Sequence, residues 1–131
     1  MKTSDGSTTV WSLQFGTLRD DTLLIAAYSD GDLVIYDTLD GTVRDILIGV
    51  NAHKLSCSPD GRTLACADSR GDIQLFDLET AKLIQYLAFE DDTLASKALA
   101  FTSDSHRLID IRSNQCRMWD PAVLVRQDMD E

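Results

Sequence analysis

Apolar and polar positions alternate along short runs of the chain, and a period of two is typical of β-strands rather than of helices. The alternating apolar positions are Trp11, Leu13 and Phe15, then Leu55 and Cys57, then Leu99 and Phe101. Each run is followed, after a few polar residues, by a second strand-like run. The pattern therefore predicts an all-β protein built from hairpins.

A unit of about forty residues occurs three times, which indicates an array of similar supersecondary structures. Each unit contains an apolar run that ends in an aromatic residue followed by Asp, at 33–37, 73–77 and 116–120. A second run precedes it, at 23–27, 63–67 and 107–111. The first two units add a fourth run, at 42–47 and 82–87. Four antiparallel strands per unit predict a propeller blade.

The predicted organisation is an N-terminal segment at 1–9, three blades at about 10–50, 51–90 and 95–125, and an acidic tail at 126–131. Turn residues separate the runs, for example Asp60 and Gly61. The third unit departs from the others because Pro121 follows its aromatic-Asp pair. Only residues 123–125 could form its fourth strand.

The residues at 57–67 and 71–77 resemble the turn, second strand and third strand of the WD-repeat family. The similarity extends over residues 10–125. Trp119 and Asp120 form the one Trp-Asp pair, while Tyr36 and Phe76 take the place of Trp in the other units. The resemblance implies a partial β-propeller of about three four-stranded antiparallel blades that acts as a scaffold for protein–protein contacts.

A narrower resemblance involves the junction at Trp119, Asp120 and Pro121 and the residues that follow it. It is similar to fungal intracellular receptors that join a NACHT domain to C-terminal WD repeats. One family feature is missing, since His53 lies too close to Leu55 to be the His of the usual Gly-His pair. The buried Asp-His-Ser-Trp network of many members is therefore not expected here.

Composition narrows the class of partner. Of 131 residues, 44% are hydrophobic and 26% charged, as in ordinary soluble globular domains, and the formal net charge is -10. This charge would repel phosphate groups, so neither nucleic acid nor an anionic membrane is expected as a partner. The three widely spaced cysteines and the absence of an apolar signal region favour a reducing, cytoplasmic location.

The sequence gives little support for catalysis, a metal or a cofactor. The two histidines and three cysteines could form a nucleophilic pair, but Cys57 and Cys66 occupy strand positions that suit small buried hydrophobic residues. The acidic clusters lack the spacing of a calcium loop, and no glycine-rich phosphate loop is present. We therefore expect no catalytic, metal-binding or cofactor-binding residues.

The best candidates for partner binding are Asp30, Arg70 and Arg112. The repeat places them in or beside the same inter-strand turn of three successive blades, and hence on one rim of the propeller. The alternative is that they are ordinary solvated turn residues, which is the more common case. Trp11 and Tyr28 are expected in the core.

The leading hypothesis is a non-catalytic WD-repeat scaffold that binds protein partners as part of a larger propeller or multidomain protein. The alternatives are a fragment of a propeller-based enzyme and a truncated gene product without independent function. Closed propellers have about 4 to 8 blades. Three blades would leave two apolar sheet faces uncovered, and a homodimer or additional blades would complete the ring.

Overall fold

A computed structural model describes residues 8–18, 20–68, 72–87, 98–112 and 115–120. Within these residues the chain forms three antiparallel sheets. Blade 1 consists of β1 (Val10–Leu18), β2 (Asp21–Tyr28), β3 (Leu33–Asp37) and β4 (Val43–Leu47). Blade 2 consists of β5 (Lys54–Cys57), β6 (Thr63–Ala67), β7 (Ile73–Asp77) and β8 (Lys82–Leu87). Blade 3 shows β9 (Ala98–Phe101), β10 (Leu108–Arg112) and β11 (Gln115–Trp119).

The all-β prediction and the order of strands within each blade are confirmed. In every sheet, strands that follow one another in sequence are hydrogen-bonded neighbours, as the short polar turns between them require. The fourth strand that we expected at 123–125 lies outside the described residues. In the part of the chain that the structure describes, no helix has the length and apolar character needed to cross a membrane.

The three blades are arranged around their first strands. Strand β1 contacts β5, and β5 contacts β9, so the first strand of each blade lies next to the first strand of the following blade. In a propeller this places the first strands nearest the central axis and the fourth strands at the periphery.

Each blade has two distinguishable faces, because directly paired residues of neighbouring strands project to the same side of a sheet. The face that carries the aromatic residue of the aromatic-Asp pair is called the front face, and the opposite face is called the back face. On the three front faces this residue is paired with a leucine, as Leu24–Tyr36, Leu64–Phe76 and Leu108–Trp119. The three blades therefore share one register.

Front faces pack against back faces. Leu64 and Phe76 on the front of blade 2 belong to one hydrophobic cluster with Ile25 and Ile35 on the back of blade 1. The pair on the front of blade 3 joins a second cluster with Leu75 on the back of blade 2. Ile25 and Leu75 are fully buried. Burying a side chain of this size contributes about 1.5–3 kcal/mol, so these interfaces hold the blades together.

Candidate functional site

The turn between β2 and β3 presents Asp30 on one rim of the propeller. The Gly31 amide donates to the Tyr28 carbonyl at 3.0 Å, and the Tyr28 amide donates to the Asp32 carbonyl at 2.9 Å. The Asp30 Oδ1 accepts a hydrogen bond from the Asp32 amide at 3.1 Å. Asp30 is exposed, so a rigid turn holds its carboxylate at the surface.

Of the other two predicted binding residues, Arg70 and Arg112, the structure describes only the backbone of Arg112. Arg70 lies outside the described residues. Arg112 is the last residue of β10. Its backbone therefore lies at the end of blade 3 that corresponds to the Asp30 end of blade 1, on the same rim. Their role in binding stays a prediction.

The same rim carries an aromatic pair that the sequence did not reveal. The rings of Trp11 and His53 have their centroids 4.2 Å apart with their planes tilted by 34°. They connect the start of β1 in blade 1 with the residue that precedes β5 in blade 2. Trp11 is 44% exposed, so our expectation that it belongs to the core was wrong.

A β-bulge explains the position of Trp11. Val10 pairs with Tyr28 and Ser12 pairs with Ala27, so Trp11 is the extra residue on β1. A bulge interrupts the alternation of side chains and redirects the residue it inserts. In the sequence, Trp11 continues the alternation of Leu13 and Phe15, and nothing in that pattern signals the bulge.

The front face of blade 1 is open, in contrast to the front faces of blades 2 and 3. A groove of about 370 Å³ lies on it, lined by Val10, Leu13, Leu24, Ala26, Tyr28, Tyr36 and Gly41. At its floor the hydroxyl groups of Tyr28 and Tyr36 form a hydrogen bond of 2.7 Å. Burial and this hydrogen bond raise the pKa of Tyr28 to about 12.

The thiols of Cys57 and Cys66 are poor nucleophiles in this fold. Burial raises the pKa of the Cys57 thiol to about 12, and burial also raises the pKa of Cys66. Such thiols stay protonated at neutral pH, whereas the thiolate is the reactive form. Over the described ranges, no three His, Cys, Asp or Glu side chains gather where they could hold a metal ion.

Comparisons with known proteins agree with this architecture. Residues 48–104 match the family model of the anaphase-promoting complex subunit 4 WD40 domain. A chain of the mitotic checkpoint complex superimposes with a TM-score of 0.74 and 22% identity, over 91% of this chain and 37% of that chain. The blades have the WD40 fold.

Two further solved structures give the same result. The WD40 repeats of RRP9 align with a TM-score of 0.71 and 17% identity, over 92% of this chain and 40% of that chain. U3-55K aligns with a TM-score of 0.71 and 17% identity, over 91% and 40% of the two chains. The chain thus spans about two-fifths of the length of these WD40 structures. No curated protein sequence matches it.

Proposed function

We propose that the chain is a member of the WD-repeat family and a non-catalytic scaffold that binds a protein partner through the rim formed by Trp11, His53 and Asp30. The contact between the exposed ring of Trp11 and the half-buried ring of His53 is the observation that carries this proposal. Tryptophan is enriched among the residues that dominate the binding energy of protein interfaces, because a large ring gains much contact area at low entropic cost.

The structural setting supports a binding role. Trp11 and His53 come from two different blades, and the amide of His53 donates a 2.7 Å hydrogen bond to the Ala67 carbonyl of β6. The pair is therefore anchored in blade 2 as well as in blade 1. A preorganised surface of this kind loses little conformational entropy on binding.

The nature of the partner follows from charge. With a net charge of -10, the chain repels phosphate backbones and anionic lipids. A protein that offers a basic residue to Asp30 and an apolar or aromatic group to Trp11 fits the rim best. One similar structure is a chain of the mitotic checkpoint complex, and a role in a protein assembly would suit this chain as well. We place the chain in the cytoplasm, within a larger propeller or multidomain protein such as a NACHT-type receptor.

An enzymatic role has less support than binding. Catalysis on a propeller requires several polar groups that converge near one reacting atom. The buried thiols have raised pKa values, and His106 lies in the turn between β9 and β10 with its Nδ1 4.0 Å from the Asp104 carboxylate. This His-Asp pair is exposed to solvent in a hairpin turn.

The proposal is tested by comparing rim variants as bait in quantitative affinity purification, followed by calorimetric titration of the proteins retained. Trp11→Ala should lower the affinity for the partner at least about thirtyfold, as expected for a loss of about 2 kcal/mol of binding free energy at a central interface residue. Asp30→Lys should also lower this affinity, and it should slow the association rate.

Matched controls come from the opposite rim, where the turns between the third and fourth strands lie. Leu39→Ala removes an exposed apolar side chain, and Glu79→Lys reverses an exposed acidic turn residue. Both should leave binding unchanged within a factor of two or so. Equal affinity of wild type and both rim variants would show that the partner does not use this rim.

A further inference from the structure

We propose that the rim binds a short extended segment of its protein partner, in which one basic residue stands between two apolar residues. The segment lies along a strip of the rim formed by Trp11, His53, Asn51, Asp30 and Ile48. This inference rests on the proposed function of the rim. It adds Ile48 as a second apolar contact and names the kind of segment that is bound.

The position of Ile48 is the first observation. It directly follows β4 and is 84% exposed, although isoleucine is among the residue types most often buried. Strands β2 and β4 run in the same direction, because both are antiparallel to β3. Since β2 ends just before the turn that carries Asp30, Ile48 lies on the same rim as Asp30.

Ile48 begins a segment, residues 48–53, that crosses the rim from the last strand of blade 1 to the first strand of blade 2. Val50 and Ala52 are buried in the hydrophobic cluster between the two blades, so they anchor the segment. Asn51, which lies between them, has φ +58°, and its Nδ2 donates a 3.2 Å hydrogen bond to the Gly49 carbonyl. A segment fixed in this way loses little conformational entropy when a ligand binds to it.

The crossing segment contacts both parts of the rim to which the binding role is assigned. The Asn51 amide donates a 2.9 Å hydrogen bond to the carbonyl of Gly31, the residue next to Asp30 in the turn between β2 and β3. The segment ends at His53, whose ring contacts that of Trp11. Ile48, the Asp30 turn and the Trp11–His53 contact are therefore parts of one continuous surface.

The strip is apolar at both ends and acidic between them. Trp11 and Ile48 are the exposed apolar ends, and the exposed Asp30 lies beside the segment that connects them. A carboxylate forms charge-assisted hydrogen bonds with the guanidinium group of arginine or the ammonium group of lysine. The net charge of -10 also attracts a basic ligand over a longer distance. A basic residue flanked by apolar residues therefore complements the strip.

The length of the strip limits the spacing of these residues in the ligand. His53 is five positions after Ile48, and a chain advances at most about 3.6 Å per residue, so their Cα atoms are at most about 18 Å apart. An extended ligand covers this distance with about six residues or fewer. A helix rises only about 1.5 Å per residue and would need up to about twelve residues. A short extended segment is thus the smallest ligand that reaches both apolar ends and the carboxylate between them.

The test selects random peptides of about ten residues, displayed on phage, for binding to the immobilised full chain. The enriched sequences should carry Lys or Arg between two apolar residues that are about six positions apart or fewer. Fluorescence anisotropy of a fluorescein-labelled synthetic copy of the most enriched peptide then gives its affinity. Added salt should lower this affinity, because it screens the attraction between Asp30 and the basic residue. A selection that enriches no such pattern would overturn the proposal.

Ile48→Ala tests whether the binding surface extends along the crossing segment. This substitution and Trp11→Ala should each lower the affinity for the labelled peptide at least about fivefold. Leu39→Ala is the matched control, because Leu39 is an aliphatic residue 92% exposed on the opposite rim, and it should change the affinity by less than about twofold. Since Ile48 and Leu39 are both largely exposed, both variants should keep the far-ultraviolet circular dichroism of the wild type.

Two further variants separate this strip from other binding sites. Asp30→Asn should lower the affinity and weaken its dependence on salt, and an unchanged salt dependence would contradict the role of Asp30. A peptide that needs Trp11 but not Ile48 would overturn the inference and leave the proposed function of the rim intact. A peptide that is insensitive to both, but is lost in Phe15→Asp, would bind the open front face of blade 1 and would also overturn the inference.

Discussion

The phenolic oxygens of Tyr28 and Tyr36 lie 2.7 Å apart on the front face of blade 1. Tyr36 is the aromatic residue of the aromatic-Asp pair, and Tyr28 ends the neighbouring strand β2. Either hydroxyl can donate to the other. The hydrogen bond satisfies two polar atoms at the floor of an otherwise apolar groove, where an unpaired hydroxyl would cost free energy when the groove is covered.

The ionisation of Tyr28 should reduce stability at high pH. Burial, then the hydrogen bond and the charge of Tyr36, raise the pKa of Tyr28 from its ordinary value of 10.0 to about 12. The folded state therefore binds the phenolic proton more tightly than the unfolded state, and this contribution is complete below pH 10 and lost as the pH rises to about 12. Urea titrations at several pH values should show the unfolding free energy falling across that window.

Tyr36→Phe tests the cause of this shift. The substitution removes the hydrogen bond but keeps the burial, so the pKa of Tyr28 should fall part of the way towards its ordinary value and stay above it. Ultraviolet absorbance of the tyrosinate, with Tyr28→Phe to assign the transition, measures the change. An unaltered titration curve would mean that burial alone sets the pKa of Tyr28.

Gly61→Ala should destabilise the contact between blades 1 and 2. Gly61 has φ +77°, and an added Cβ would collide with the backbone carbonyl of Thr17 on β1. Gly41 is the matched control, because its φ is +76° and a Cβ there meets nothing within 4 Å. We expect Gly41→Ala to cost about 1 kcal/mol of backbone strain and Gly61→Ala roughly 2 kcal/mol more. Equilibrium urea denaturation compares the two, and equal losses would exclude the clash.

The turn between β9 and β10 uses Ser105 where the matching turn of blade 2 uses Gly61. Ser105 has φ +65°, and its Oγ accepts a 3.0 Å hydrogen bond from the Asp60 amide, which links blades 2 and 3. Ser105→Ala should cost about 1–3 kcal/mol because the amide loses its partner while the strained φ remains.

Ser105→Gly separates the two effects at that position. This variant also loses the hydroxyl, but glycine adopts a positive φ without a steric penalty. Its loss of unfolding free energy should be smaller than that of Ser105→Ala by roughly 0.5–1 kcal/mol. If the glycine variant were as unstable as the alanine variant, the backbone of Ser105 would carry no strain.

Thiol reactivity should distinguish the buried cysteines from the exposed one. Cys66 is buried and Cys57 partly buried, each with a raised pKa, whereas Cys116 is exposed. In the folded chain, the Cys116 thiol should react rapidly at neutral pH, and the other two only after unfolding. Cys116→Ser is the control and should abolish the rapid phase. A rapid reaction at Cys57 would contradict this prediction and would support a nucleophilic role for that residue.

The strands and their order are predictable from the amino-acid sequence alone. Runs such as 63–67, 73–77 and 82–87 coincide with β6, β7 and β8, because side-chain alternation and the intervening turns are local properties that a repeat reproduces from unit to unit.

The contacts between distant residues follow from the three-dimensional packing of the chain. The bulge at Trp11 depends on how β1 pairs with β2, and it turned an expected core residue into an exposed partner of His53. The assignment of Tyr36 to an open face, and of Phe76 to a closed one, depends on which blade lies on which side. These are contacts between segments far apart in sequence, and no local pattern records them, because pairing register and blade packing are set by the chain as a whole.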